Sequence, residues 1–390
     1  MLSAEGKSSG IFRVKDWWWS KAALLMGMIY LFASRYNIGF EKFIPLSILS
    51  LITITGFAGT GYLFNDLFDI EQDQLAGKRN FLAGKPTGLV IFLFFISLAF
   101  VFLPWLFLPK SKFSFVLIAM QLVLFIVYSA PPIRLKERGL AGIITDALYA
   151  HGLPALLAMY TFALAANYPF TIKDVALLFI WQTVSGIRNI ILHQHDDKEA
   201  DRKSGSKNFV TDLNASQFRA LLGGLIVAEW LLSMAFFVSI LSANPLFAFC
   251  LLVILTLSAL GFMLFMEKDA PAFLSSTWKF FPNSIYEKWL PVTYLGLLAV
   301  HDGRFLILFL LHLTVFNFNF YTDSVDRLYG RWKSIPFKGS IITLRIVLSY
   351  PGNYLIYYLF RIFGVDLKKE NVSAREYLAK RKENNMGSKQ

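Results

Sequence analysis

A chain of 390 residues that is 56% hydrophobic and only 16% charged does not read as a soluble globular protein, where about a quarter of residues carry charge. The formal net charge of +12 comes with long apolar stretches, so it reads as basic loops at a membrane surface and argues against nucleic acid as a partner. A single cysteine, Cys250, excludes an intrachain disulfide. Residues 1–16 are polar and small, lack a signal-peptide pattern, and are expected as a polar cytoplasmic N-terminus. Apolar segments follow at 17–34, 43–64, 87–108, 113–130, 140–164, 174–195, 217–241, 246–266, 286–301 and 303–320. Several approach or exceed the roughly 18 apolar residues of a spanning helix. Backbone hydrogen bonds must close on themselves inside a bilayer, and alternating barrel-type strands are absent. The expected fold class is therefore all-α, a polytopic membrane bundle of nine to ten transmembrane helices spanning 17–320. The last two segments either cross as a pair or form one re-entrant hairpin. Residues 321–390 are expected as a basic extension, with 341–364 at the membrane interface because Arg345, Pro351 and Arg361 interrupt its apolar residues.

The loops set the orientation. Those after the second, fourth and sixth segments carry ten basic residues, and the opposite loops carry five. The positive-inside bias puts the first group, and the N-terminus, in the cytoplasm.

Two of those loops open on the same phrase. Asp69-Ile-Glu71-Gln-Asp73 is followed by Gly77, Arg79, Asn80 and Phe81, and Asp197-Lys-Glu199-Ala-Asp201 by Gly205, Lys207, Asn208 and Phe209. Across thirteen positions there are six identities and one Arg/Lys exchange, at a separation of 128 residues. Such internal repeats are a known route to a membrane site at the repeat interface. On a helix, Asp66, Asp69 and Asp73 share one face, and so do Asn65, Asp69 and Asp73. Like charges so placed repel unless a cation offsets them. Carboxylate and amide oxygens suit Mg²⁺, which keeps substrate phosphate oxygens in its shell. Arg79 and Lys207 are then candidates for phosphate contact. Solvated helix ends are the alternative for either cluster alone, and the in-register duplication argues against it.

Between the copies lies Tyr128-Ser129-Ala-Pro131-Pro132-Ile-Arg134-Leu-Lys136-Glu-Arg138-Gly139. The proline pair ends the fourth helix and fixes Arg134 and Lys136 relative to that end. By itself this is a positive-inside loop; beside two acidic clusters it reads as a diphosphate clamp.

Asn65-Asp66-x-x-Asp69-x-x-x-Asp73, Tyr128-Ser-x-Pro-Pro-x-Arg134-Leu-Lys136 and Asp197-x-x-x-Asp201-x-x-x-Gly205 together resemble the UbiA superfamily of intramembrane prenyltransferases, in its order and at similar separations. The resemblance covers roughly residues 15–320. It implies about nine helices around a central lateral cavity and Mg²⁺-dependent ionisation of an isoprenyl diphosphate at the cavity's polar mouth. It assigns Asn65, Asp66, Asp69, Asp73, Asp197 and Asp201 to Mg²⁺ and diphosphate, with Asp69, Asp73, Asp197 and Asp201 as the catalytic acids. Arg134 and Lys136 are assigned to the diphosphate. Asn80 departs from the proline of many members, and Asp196, His193 and His195 add to the second cluster. The expected function is prenyl transfer to an aromatic or lipidic acceptor. The alternative is a UbiA-type terpene cyclase, which ionises the same donor without an acceptor.

Ionisable groups inside spans are functional candidates. Asp146 and His151 are positioned to bind or deprotonate an acceptor, while an Asp146–Arg188 pair is an equally good structural reading. Tyr128, Asp146 and Arg188 are therefore counted with the substrate-binding residues. His193 and His195 read as bases, outer partners or interfacial histidines, the last favoured for His195.

Overall fold

Helices make up the regular secondary structure of the described residues. In a computed structural model, these are residues 11–75, 80–169, 171–204, 209–240, 245–268, 274 and 277–316. After short helical turns over 11–22 come α1 (Ala23–Arg35), α2 (Phe40–Phe68), α3 (Ile70–Leu75), α4 (Thr87–Phe102), α5 (Lys112–Ser129) and α6 (Leu140–Ala147). A wide π-type turn, Leu148–Gly152, joins α6 to α7 (Leu153–Ala166). Then follow α8 (Ile172–Ser204), α9 (Ala215–Ile240), α10 (Pro245–Lys268), α11 (Leu290–His301) and α12 (Phe305–Val315).

Among the described residues, six helical segments are long and apolar enough to cross a membrane: Phe40–Phe68, Thr87–Leu106, Lys112–Ser129, Leu140–Ala166, Ile172–Lys198 and Ala215–Ile240. The remaining expected segments coincide with α1, α10, α11 and α12. The expected first span, 17–34, is divided, with a π-type turn over Trp18–Ala22 before α1. The expected extension 321–390 lies outside the described residues.

The bundle has two chemically distinct ends. At one, Ser111 starts α5 with a capping box: its hydroxyl accepts from Phe113 N at 3.1 Å, and Ser114 Oγ accepts from Ser111 N at 3.2 Å. Tyr160 bonds the same Ser111 hydroxyl at 2.6 Å. Glu41 there meets Arg304 at 3.0 Å in the turn between α11 and α12. The other end gathers the termini of α2, α5 and α8 that carry the acidic and basic motifs. Beneath the second motif copy, Ile191, Leu192, Val210, Phe218 and Leu222 form a separate apolar cluster that anchors this end of α8.

Without a hydrophobic drive between helices in lipid, close packing carries the association. The α2–α4 contact shows this at Gly56, where a Cβ would come within 2.5 Å of Val101 N and 2.8 Å of the Ser97 carbonyl. Backbone cannot yield as a side chain can. Gly56→Ala is therefore expected to cost about 1–3 kcal/mol of stability, read as a lowered midpoint of thermal unfolding in detergent. Gly39→Ala, with nothing within 4 Å of the added carbon, should leave that midpoint in place.

Candidate active site

α2 stops at Phe68, and Asp69 takes φ −108° and ψ 3° before α3 begins. The expected unbroken helical face of Asp66, Asp69 and Asp73 is thus corrected to a helix interrupted at Asp69. One hydrogen bond, Asp73 N to the Asp69 carbonyl at 2.8 Å, bridges the interruption. Aspartate is a weak helix former, and three on one face repel, so this is where the helix gives way.

The three carboxylates are buried, at 2%, 7% and 4% relative exposure for Asp66, Asp69 and Asp73. Buried charge is tolerated only with partners. Asp69 Oδ1 accepts from Arg134 Nη2 at 2.9 Å and also from Lys136 Nζ. Lys136 reaches Asn65 Oδ1 at 3.1 Å. Asp66 faces Arg13 Nη1 at 3.5 Å. Asn80 Nδ2 donates to Asp73 Oδ2 at 2.9 Å and to the Asp66 carbonyl at 2.8 Å. The loop after α5 therefore delivers its two bases to the first acidic copy, as its proximity to the helix end predicts.

Arg134 occupies the left-handed region, φ 39° and ψ 60°. That conformation costs a non-glycine residue roughly 1–2 kcal/mol. It is held by guanidinium bonds to the carbonyls of Phe68 at 3.0 Å and Ser129 at 3.2 Å, and to the side chains of Gln72 and Glu137. Strain of this kind concentrates at functional sites. Burial pushes the Glu137 carboxyl up, but hydrogen bonds from Gln72 and Arg134 and the charges of Arg134 and Lys136 outweigh it, holding the group below the usual carboxylate range.

The second copy is built differently. Asp196 pairs with Lys279, which also donates to the Leu274 carbonyl at 2.7 Å, so the extra acid is taken up by a contact outside the repeat. Lys198 donates to the Leu213 carbonyl at 2.9 Å. His193 packs its ring against Phe280 and His195 against Phe218, with centroids 5.2 and 4.4 Å apart. Asp197 remains, and it lines a cavity. Asp201 lies one turn further along α8; its side chain, Arg79 and Lys207 lie outside the described residues.

That cavity, about 380 Å³, takes Asn65, four residues before the first copy, and Asp197 from the second copy. Tyr128, Asp146 and Tyr149 line it, as do two bases that the motif reading missed, Arg13 and Lys21. Tyr149 is presented by the π-type turn, and its hydroxyl donates to Asp146. Such turns inside helices are frequent at functional sites. Along α2 the lining runs from Asn65 to Ser50, a depth of roughly 22 Å at 1.5 Å per residue. Its deeper walls include Ile29, Ile54, Phe57, Leu108 and Leu157.

Arg188 is corrected. It is fully buried, does not line the cavity, and pairs with Glu229 through Nε at 2.5 Å and Nη2 at 3.1 Å. Asn283 Oδ1 accepts from it at 2.7 Å and Asn189 Oδ1 at 3.2 Å. The expected Asp146–Arg188 pair is thus replaced by Arg188–Glu229 and Tyr149–Asp146. His151 is buried and also stands outside the cavity lining.

Among the described residues no three carboxylates, imidazoles or thiols gather at one point. Mg²⁺ does not require that: it is usually held by one or two carboxylates with water and substrate phosphate completing the shell. The donors here are hard oxygens, Asn65 and Asp197 on the cavity wall and Asp66, Asp69 and Asp73 beside it, and they fit such an ion.

Arg13 pairs with Asp16 at 2.7 Å and stacks over the Tyr62 ring at 4.6 Å. Lys21 has no hydrogen-bond or ion-pair partner among the described residues and is half-buried at the cavity wall. Its position just inside the first apolar segment was the available signal. A charge-assisted contact to an anion is worth about 1.5–3 kcal/mol. Lys21→Met should therefore raise the KM for an anionic substrate by roughly tenfold or more; an unchanged KM in steady-state assays would remove Lys21 from the site.

A family model described as the UbiA prenyltransferase family matches residues 20–285. A curated relative, lycopene elongase/hydratase from Halobacterium salinarum, is 28% identical over 180 residues, 45% of this chain and 59% of that protein. The chain thus spans less than two thirds of that relative's length. A UbiA homolog from Aeropyrum pernix K1 has a TM-score of 0.52 at 15% identity, over 72% of this chain and 98% of that one. A chain solved in work on digeranylgeranylglyceryl phosphate synthase has a TM-score of 0.51 at 17% identity, over 73% of this chain and 94% of that one. At these identities the structural likeness is one of fold. With the family match extending over more than half of its length, the chain belongs to the UbiA prenyltransferase family.

Proposed function

We propose that this protein is a Mg²⁺-dependent intramembrane prenyltransferase that ionises an isoprenyl diphosphate and passes the prenyl chain to an acceptor. The observation that carries this reading is one cavity that takes Asn65, beside the first motif copy, and Asp197 from the second, and continues between apolar walls. Asn65, Asp66, Asp69, Asp73, Asp197 and Asp201 would hold Mg²⁺, which neutralises charge on a diphosphate when bound. Arg134, Lys136, Arg13 and Lys21 supply fixed positive charge toward the leaving group, aimed before the reaction begins. Arg79 and Lys207 would add to it from the loops. The prenyl chain lies along the apolar walls, where water is excluded from the reactive carbon. The faces of Phe57, Tyr128 and Tyr149 offer it π density.

The curated relative is named an elongase, which supports chain transfer over cyclisation. The acceptor belongs to the aromatic or lipidic class. We infer nine or ten crossings, counting α1, α10, α11 and α12 with the six long segments. The loop charges favour a cytoplasmic motif end.

Purified protein given geranylgeranyl diphosphate and a membrane-lipid extract with added phenolic compounds as the source of acceptors should release diphosphate with Mg²⁺, stop on addition of EDTA, and resume when Mg²⁺ is restored. Absence of release from geranyl, farnesyl and geranylgeranyl donors alike would overturn the proposal. Cyclic products formed without any acceptor would overturn its transfer half.

A further inference from the structure

Asp146 is a carboxylate within an apolar helical segment, and ionisable groups so placed in a membrane are functional by default. It is half-buried and lines the cavity, on the side of α6 turned roughly 200° from the exposed Ile144. No cation pairs with it among the described residues, whereas Glu229 has Arg188, Asp69 has Arg134 and Lys136, and Asp196 has Lys279. An unpaired charge in an apolar wall costs stability, and the fold bears that cost here. One hydrogen bond holds the group: Tyr149 OH donates to Oδ1. Oδ2 has no hydrogen-bond partner and is not occluded by protein, so it stands as an open acceptor on the cavity wall. Its level is fixed from two sides. α6 starts four residues after Lys136, and Asp146 lies six residues further on, roughly 9 Å from that start. Tyr149 meets the rings of Tyr128 and Phe125 at 5.2 and 4.9 Å, just inward of Ser129 where α5 ends. The carboxylate therefore stands between the basic clamp and the apolar walls, beside the first carbons of a prenyl chain whose diphosphate is at the clamp.

We propose that Asp146 is the general base of the transfer step, held in place by Tyr149. Ionisation breaks the donor's C–O bond, and diphosphate leaves with the electron pair. An electron pair of the acceptor forms the new bond to the freed carbon, and the proton the acceptor must lose passes to Asp146 Oδ2. The carboxylate becomes a neutral acid, and the electrons of the broken bond to hydrogen stay on the acceptor. Among the described residues the cavity is lined by one other carboxylate, Asp197, which the metal reading already uses. Arg13 and Lys21, the charged bases of the same wall, carry protons and cannot take one. His151, the other candidate base, does not line the cavity. The inference rests on the transferase reading and adds the group that completes its chemistry.

The test follows the label when the purified full chain is given tritiated geranylgeranyl diphosphate, Mg²⁺ and a membrane-lipid extract with added phenolic compounds. Asp146→Asn keeps an acceptor for Tyr149 OH but takes no proton. It should lower the ratio of prenylated acceptor to geranylgeraniol by roughly 10²-fold or more, while diphosphate release falls far less, because water captures the stranded cation. Asp146→Glu, a base again, should recover much of the ratio. A wild-type ratio in Asp146→Asn would overturn the proposal. So would equal losses of release and transfer at an unchanged unfolding midpoint, which would place Asp146 with the ionising residues. If Asp146→Asn does not fold, Tyr149→Phe serves instead: it frees the carboxylate from its one hydrogen bond and should lower the ratio about tenfold. An unchanged ratio there would equally overturn the proposal. The two readings fail separately. A wild type that releases no diphosphate, or leaves all its label in geranylgeraniol, sinks the transferase; wild-type transfer with an unchanged ratio in the variant sinks the base alone.

Discussion

Asp69→Asn is expected to lower diphosphate release from geranylgeranyl diphosphate by about 10²–10³-fold, the scale of losing one preorganised charge contact in an active site. Asp69 is the junction of the first motif copy. One of its oxygens takes both Arg134 and Lys136, and it stands in the helix interruption between Asp66 and Asp73. The amide keeps the shape and removes the charge. It weakens a hard-cation donor and releases both bases from the position they hold. The fold should survive, because Arg134 retains the Phe68 and Ser129 carbonyls and Gln72. Thermal unfolding separates the two effects: a midpoint close to wild type with activity lost is the expected pair. Near wild-type turnover at saturating Mg²⁺ would exclude Asp69 from the chemistry.

The second large effect is on stability. Arg188→Met is expected to destabilise the protein by about 3–5 kcal/mol, because it strands Glu229 as an unpaired charge in the bundle. Glu229 is 2% exposed and takes both guanidinium contacts. The double change Arg188→Met with Glu229→Leu should recover much of the loss, since apolar packing replaces buried ion pairs at little cost. Donor KM should stay at the wild-type value in any fraction that folds, because Arg188 does not line the cavity. A raised KM with an unchanged unfolding midpoint would return Arg188 to the substrate-binding residues.

The helices were legible because lipid demands long apolar runs, and the match of α2, α4, α5, α8 and α9 to the expected segments follows from that constraint. The first acidic copy and its clamp were legible because charge at a helix end next to a membrane is conspicuous. Partner choice inside the bundle was not. The sequence argument offered Asp146 to Arg188, and helix rotation gives it Glu229 instead; an apolar stripe that would reveal that rotation in water is missing when lipid-facing and core-facing positions are both apolar. The same blindness hid Lys21, whose place on the cavity wall shows only in the packed bundle. Asn80 had a signal, its identity with Asn208 in the repeat, but the reason appears only in its bonds to Asp73 and the Asp66 carbonyl.

The duplicated motif is best tested by diphosphate release from wild type, Asp69→Asn, Asp197→Asn and the double variant under saturating Mg²⁺. Residues that act as one unit are non-additive. If both copies serve one site, each single change should remove nearly all release, and the double should be no worse than either. Losses that multiply in the double, or a single variant that keeps near wild-type release, would mean that the two copies act separately.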